Sequence, residues 1–211
     1  LWHALTKSGG TRSEFTITKL AEQRFYVVSA GAGERYDSDY LSKMAPADGS
    51  VTLRNITTSR GCFVLAGPRS REVLAKLTDV ALDNAAFPWL TGQVAEVGLA
   101  TDVYLLRVNF VGALGWELHF PIEYANHLFE ALFAAGAEFG IGMAGMRAME
   151  SLRMEKSYRM WGSDLTPDYT PFEAGLDRFV RMNKGAFIGR EALAKQQAAG
   201  VPNHFVTIEV H

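Results

Sequence analysis

Glu117 and His119 stand two residues apart in Trp116-Glu117-Leu118-His119-Phe120, a run that alternates as a strand does. The alternation puts both on one face and Trp116 and Leu118 on the other. A carboxylate just past the turn that holds Gly112 and Gly115 has two readings. It is a plain solvated charge, or it receives two parallel N–H donors from the edge of a guanidine-like heterocycle. Arg147 is the next candidate, near the start of a helix expected from about Gly145 to Ser157. Arg147 with Ser151, and Glu150 with Arg153 and Met154, fall at neighbouring helical spacings. Such a helix is either laced with surface ion pairs or offers an arginine to a ligand carboxylate. Spacing leaves both open.

Other chemistries find less support. His3, His119, His127, His204 and His211 form no HxxH or HExxH pattern and no local pair with Cys62, so no metal site is expected. Ala66-Gly67-Pro68 is not a nucleophile elbow, and Cys62 lies in an apolar strand where a buried, inert thiol is the default. Gly31-Ala32-Gly33-Glu34-Arg35-Tyr36 sits between a strand and a helix, as a dinucleotide fingerprint would. Its third glycine is a tyrosine, too bulky for the close helix–strand packing that the motif needs. A tight turn explains both glycines.

The elements that must position these residues follow from their patterning. Phe15–Leu20 and Arg24–Ser29 read as a hairpin, and Glu34–Met44 as a helix stopped by Pro46. Val51–Thr58 and Gly61–Ala66 read as strands, and Gly67-Pro68 starts a helix to Leu77. The strongest hairpin signal joins 103–110 to 116–120 through Gly112 and Gly115. Ala125, Leu128, Phe129, Leu132, Phe133 and Gly136 form the stripe of an amphipathic helix. The segment 162–171 reads as loop, and Gly189-Arg190 opens a last helix. Strand pairs followed by helices imply an α+β fold with largely antiparallel sheets.

Composition narrows the partners. The 211 residues are 48% hydrophobic and 21% charged, the balance of a globular chain. Twenty-one basic against twenty-three acidic residues give a net charge of −2, which argues against nucleic acid as a partner. No apolar run reaches the roughly twenty residues that span a bilayer. The opening lacks the pattern of a signal peptide, and both ends read as cuts, with Phe205, Ile208 and Val210 starting a strand. A lone cysteine fits a reducing compartment.

Four stretches in order carry a resemblance: 109–118 (NFVGALGWEL), 152–164 (LRMEKSYRMWGSD), 171–176 (PFEAGL) and 187–193 (FIGREAL). Together they resemble the tetrahydrofolate-binding aminomethyltransferase family, founded by the T-protein of the glycine cleavage system. The Trp-Gly-x-Asp loop and the Leu-Arg-Met-Glu-Lys stretch resemble in particular the folate half of dimethylglycine and sarcosine dehydrogenases. The resemblance implies packed helices and sheets around a central folate cavity, with 1–200 as the folate-binding region and 201–211 as the start of a C-terminal β-barrel.

It also implies roles. Glu117 would pair with the pterin, while Phe110, Arg147, Tyr158 and Trp161 would border the same cavity. Glu14 would be the catalytic carboxylate, standing where the family pattern has aspartate after Gly9-Gly10. Phe110 replaces a tyrosine of the dehydrogenase branch, and Arg178 an aromatic residue. The implied cofactor is tetrahydrofolate, with FAD only if a dehydrogenase half stands on the same polypeptide. The implied partner is a small methylated amine or aminomethyl donor, in a bacterial cytoplasm or mitochondrial matrix. The activity expected is transfer of a methylene unit to folate. The departures at Glu14, Phe110 and Arg178 support one alternative, a folate-binding regulatory module without transfer activity; a second is a folate-dependent demethylase of another methylated donor.

Overall fold

The computed structural model describes residues 1–209. In chain order, β1 (Trp2–Leu5), β2 (Thr11–Ala21), β3 (Arg24–Val28) and α1 (Glu34–Met44) come first. Then follow β4 (Arg60–Ala66), α2 (Ser70–Leu74), β5 (Gly92–Val97), β6 (Ala100–Leu106), β7 (Gly115–Pro121), α3 (Ala125–Gly136) and α4 (Met146–Glu155). The last helix is α5 (Arg190–Ala199). This is the expected α+β class with antiparallel sheets.

The chain divides into two compact units. The first comprises Leu1–Ile17, Phe25–Leu53 and the chain from Ser157 onward; the second comprises Thr18–Arg24 and Arg54–Lys156.

The first unit contains the β1-β2-β3 sheet, apart from the tip of the β2–β3 hairpin. Its small core gathers Leu5, Phe172 and Leu193, with Val180, Met182, Phe187 and Val201 packed around them. The 171–176 motif forms a hydrogen-bonded turn rather than a helix. Thr170 N–H donates to Glu173 Oε2 at 2.9 Å, and Glu173 N–H donates to Thr170 Oγ1 at 3.2 Å. This reciprocal pair is a capping box, which satisfies two amide donors that no ladder reaches.

The second unit is a four-stranded antiparallel sheet in the order β4-β7-β6-β5. One face of β7 supplies Trp116, Leu118 and Phe120, each 0% exposed, to a core shared with Leu74, Leu105 and Leu128. The period-2 alternation of β7 therefore leaves Glu117 and His119 on the opposite face.

Three expectations are corrected. No strand forms over 51–58: Val51 and Leu53 are exposed, and no neighbouring strand satisfies their backbone groups. The helix after Pro68 is only Ser70–Leu74, because the next amides leave the α ladder for the tighter i−3 pattern, Lys76 N–H donating to Val73 O and Leu77 N–H to Leu74 O. Strands β1 and β5 form without having been singled out in the sequence. At the chain's end, 201–209 carries no strand, while Val210 and His211 lie outside the described residues.

Candidate functional site

In the second unit the site residues stand on β7 and the loop before it. Asn109 fixes that loop: its Oδ1 accepts the amides of Val111 (3.1 Å) and Gly112 (3.0 Å), and its Nδ2 donates to Ala113 O (2.9 Å). Phe110 is held half-buried inside this closed ring of bonds. Gly112 turns the chain at a φ of +69°, and Gly115 starts β7 directly against the backbone of β4. Glu117 follows two residues later, its side chain 20% exposed. His119 Nε2 lies 3.1 Å from Glu117 Oε2, and its ring is 4% exposed. Among the described residues nothing bonds Glu117 Oε1. A carboxylate offers about four lone-pair sites. Glu117 therefore keeps most of its acceptor capacity for a donor edge.

Arg147 is exposed in the first turn of α4 and makes no ion pair among the described residues. The pair on this helix is Glu150 with Arg153, three residues apart, as helical spacing predicts.

Cys62 departs from expectation. It is exposed rather than buried, on the face of β4 turned away from the core. Register places it opposite His119, with Sγ 3.7 Å from Nε2. The pairing spans 57 residues, so no local motif announces it. Although the residue reaches solvent, protein on most sides keeps a thiolate poorly hydrated. That desolvation, with the Glu117 charge adding to it, pushes the thiol up to about 12.

The first unit holds the other three predicted residues. Glu14 stands on β2 opposite His3 of β1, and His3 Nε2 approaches Glu14 Oε1 at 3.3 Å. The histidine side chain is 4% exposed and the carboxylate 24%. Trp161 is anchored to β2 two residues before Glu14: its indole N–H donates to Arg12 O at 3.0 Å. Its ring fills the space beside Gly33, where a Cβ would lie 3.3 Å from it. Close packing by Asp37 Oδ2, 3.0 Å from such a Cβ, and by the Trp161 ring thus accounts for the second glycine of the Gly-x-Gly turn. Asp164 closes the Trp-Gly-x-Asp loop by accepting the Met160 amide at 2.9 Å. Tyr158 is half-buried just after α4.

Asp37 escaped the sequence reading. It is 3% exposed in α1 and accepts the Ser13 hydroxyl at 2.6 Å, while its Oδ2 has no partner. A small cavity of about 30 Å³ lies beside Trp2, His3, Phe179 and Arg181. That volume suits a water or two and is far short of the ~300 Å³ at which small-molecule sites begin.

Residues 2–184 match the model of the GCVT N-terminal domain. The chain belongs to the GCVT N-terminal domain family. This GCVT domain is 36% identical over 210 residues to a mitochondrial dimethylglycine dehydrogenase of Mus musculus, covering 99% of the chain and 24% of that protein. It is 34% identical over 205 residues to an aminomethyltransferase of Listeria monocytogenes, covering 97% of the chain and 54% of the relative. The glycine cleavage system aminomethyltransferase T from Bartonella henselae shares its fold, with a TM-score of 0.77 at 28% identity. That match covers 94% of this chain and 52% of the other. The GCVT domain thus spans about a quarter of the dehydrogenase and about half of the aminomethyltransferases. No helix among the described residues is long and apolar enough to cross a membrane.

Proposed function

We propose that this chain is the folate-binding part of an enzyme that transfers a one-carbon unit from a small methylated or aminomethyl amine to tetrahydrofolate. The observation that carries the reading is Glu117: a partly exposed carboxylate on rigid β7, with one oxygen beside His119 and the other without a partner among the described residues. A pterin presents parallel N–H donors, and a carboxylate is the complementary acceptor. Membership of the GCVT family, and relatives named as aminomethyltransferases, support the same chemistry. Phe110 and Arg147, in the same unit as Glu117, are proposed as further folate-binding residues, and so are Tyr158 and Trp161, in the unit of Glu14.

Tetrahydrofolate would supply the accepting nitrogens; the chain's residues bind and orient. Glu117 would hold the pterin edge and fix its orientation. Arg147, exposed and without an ion pair among the described residues, would offer a positive charge to a ligand carboxylate. Glu14 would stand by the cationic donor, where an ionised carboxylate stabilises developing positive charge. His3, buried against Glu14, would keep that carboxylate in one rotamer. Phe110 contributes a ring edge without a hydroxyl. The oxidation that generates a reactive donor, if it occurs, belongs to a flavin-bearing half on the same polypeptide. A relative named as a mitochondrial dehydrogenase is consistent with that arrangement and with work in a mitochondrial matrix, a bacterial cytoplasm being the other setting.

The test is product analysis with the full-length polypeptide, supplied with tetrahydrofolate and candidate amines. Formation of methylene-tetrahydrofolate, lost in Glu14→Gln with folate binding retained, is the expected result. Folate binding without any methylene product from these amines would leave a binding module and remove the transferase. A methyl product would redirect the reading to demethylation of another donor.

A further inference from the structure

Cys62, His119 and Glu117 direct three different donor atoms at one point. The β4–β7 register sets Cys62 across from His119, and the alternation of β7 sets Glu117 on the same face two residues away. Sγ lies 3.7 Å from Nε2, Nε2 lies 3.1 Å from Oε2, and all three atoms fall within 4.8 Å of one another.

Those separations have a chemical meaning beyond hydrogen bonding. Zinc binds thiolate sulfur at about 2.3 Å and imidazole nitrogen or carboxylate oxygen at about 2.0–2.2 Å. At tetrahedral angles, such bonds set sulfur about 3.6 Å from nitrogen and nitrogen about 3.3 Å from oxygen. The sulfur–nitrogen and nitrogen–oxygen separations stand within a few tenths of an ångström of that arrangement, and the sulfur–oxygen separation is at most 4.8 Å. They are carried by paired strands rather than by a loop, so little rearrangement is needed to seat an ion.

We propose that Cys62, His119 and Glu117 form a three-ligand site for a borderline-soft divalent cation, with zinc the best fit. A thiolate ligand disfavours magnesium and calcium, which prefer all-oxygen shells. Binding takes the proton from Cys62 Sγ to solvent, and His119 coordinates as the neutral ring with its proton on Nδ1. Thiolate and carboxylate together balance the ion's two positive charges. Arg60, which donates to His119 O at 3.3 Å and sits over the Tyr104 ring at 3.9 Å, is already paired with Asp102. Exposed Cys62 gives the ion a way in, while His119, 3% exposed, anchors the inner side. Three protein ligands leave a fourth position for water, the pattern of an open rather than a closed site. The site does not depend on the folate reading, because metal binding is measured without folate.

The test uses the full-length protein, stripped of metal and titrated with Co²⁺ as a spectroscopic substitute for zinc. The expected result is a thiolate-to-cobalt charge-transfer band that saturates at one equivalent, is absent in Cys62→Ser and is abolished by Zn²⁺. His119→Ala removes the same band. No charge-transfer band in the wild type overturns the proposal. So does a band that survives in Cys62→Ser, and the Cys62–His119–Glu117 cluster is then only a hydrogen-bonded chain.

Discussion

Gly115 is the point where the geometry of β7 can be tested by adding one methyl group. A Cβ placed there would lie 2.4 Å from Leu65 O and 2.9 Å from Ala66 Cα, both backbone atoms of the paired strand. Restoring ordinary contact at 3.4 Å requires the end of β4 to move away from β7 by about 1 Å. The Leu65↔Trp116 and Ala66↔Gly115 pairs sit at that end. One or two ladder hydrogen bonds are lost at roughly 1 kcal/mol each, and the overpacking adds ~1–3 kcal/mol. Gly115→Ala is therefore expected to destabilise the second unit by about 3 kcal/mol. Gly112→Ala is the matched control. Its φ of +69° carries a strain of about 1–2 kcal/mol, but its close contact is with Lys156 Cγ, which a χ1 rotation can move, and not with backbone. Urea unfolding followed by circular dichroism should rank Gly115→Ala below Gly112→Ala, and both below the wild type. A Gly115→Ala protein within about 0.5 kcal/mol of wild type, or milder than Gly112→Ala, would refute the close strand contact that positions Glu117.

Three further outcomes follow from the same geometry. Burial pushes the Glu173 carboxyl up, but hydrogen bonds from Thr170, Asn203 and Gln196 outweigh it and hold it below its ordinary 4.5. Its contribution to stability is thus complete above that pH and is lost as pH falls through the lowered folded value, so Glu173→Gln should flatten the acid limb of a stability–pH profile; an unchanged limb contradicts the capping box. A Cys62 thiol at about 12, against an ordinary 9.0, holds about a thousandfold fewer thiolates at neutral pH. Greater nucleophilicity returns part of this, so alkylation of Cys62, read by peptide mass, should run roughly fiftyfold slower than in the urea-unfolded chain; equal rates would refute the shift. Because Glu117 serves both the proposed metal and the proposed pterin, saturating Zn²⁺ should weaken reduced-folate binding at least about tenfold, and Cys62→Ser should relieve the effect. Folate affinity indifferent to zinc would show that the carboxylate is not shared.

Periodicity made part of this molecule legible in advance. The helices Glu34–Met44 and Ala125–Gly136 form where the residue patterns place them, because apolar stripes and stop signals are local. Val51–Thr58 carries the same local signature as a strand and forms none, because a strand exists only with a partner to bond. Glu117 and His119 could be put on one face from two-residue alternation alone. Cys62 could not, since its partner arrives from 57 residues away through sheet register. The same is true of Trp161, whose bond to Arg12 spans 149 residues. What the motifs do is also partly structural: Asp164 closes its own loop, and the Thr170–Glu173 box caps its own turn. Resemblance identified these stretches, but only packing distinguishes the residues that hold the fold from those free to hold a ligand.

The central claim rests on Glu117 as a pterin anchor, and calorimetric titration of a stable reduced folate tests it directly. The chain should bind one equivalent, and a folded Glu117→Gln variant should bind at least about tenfold more weakly, since each charge-assisted hydrogen bond is worth roughly 1.5–3 kcal/mol. Equal affinity in the two proteins, or no binding to a full-length polypeptide shown to be folded, would contradict the account.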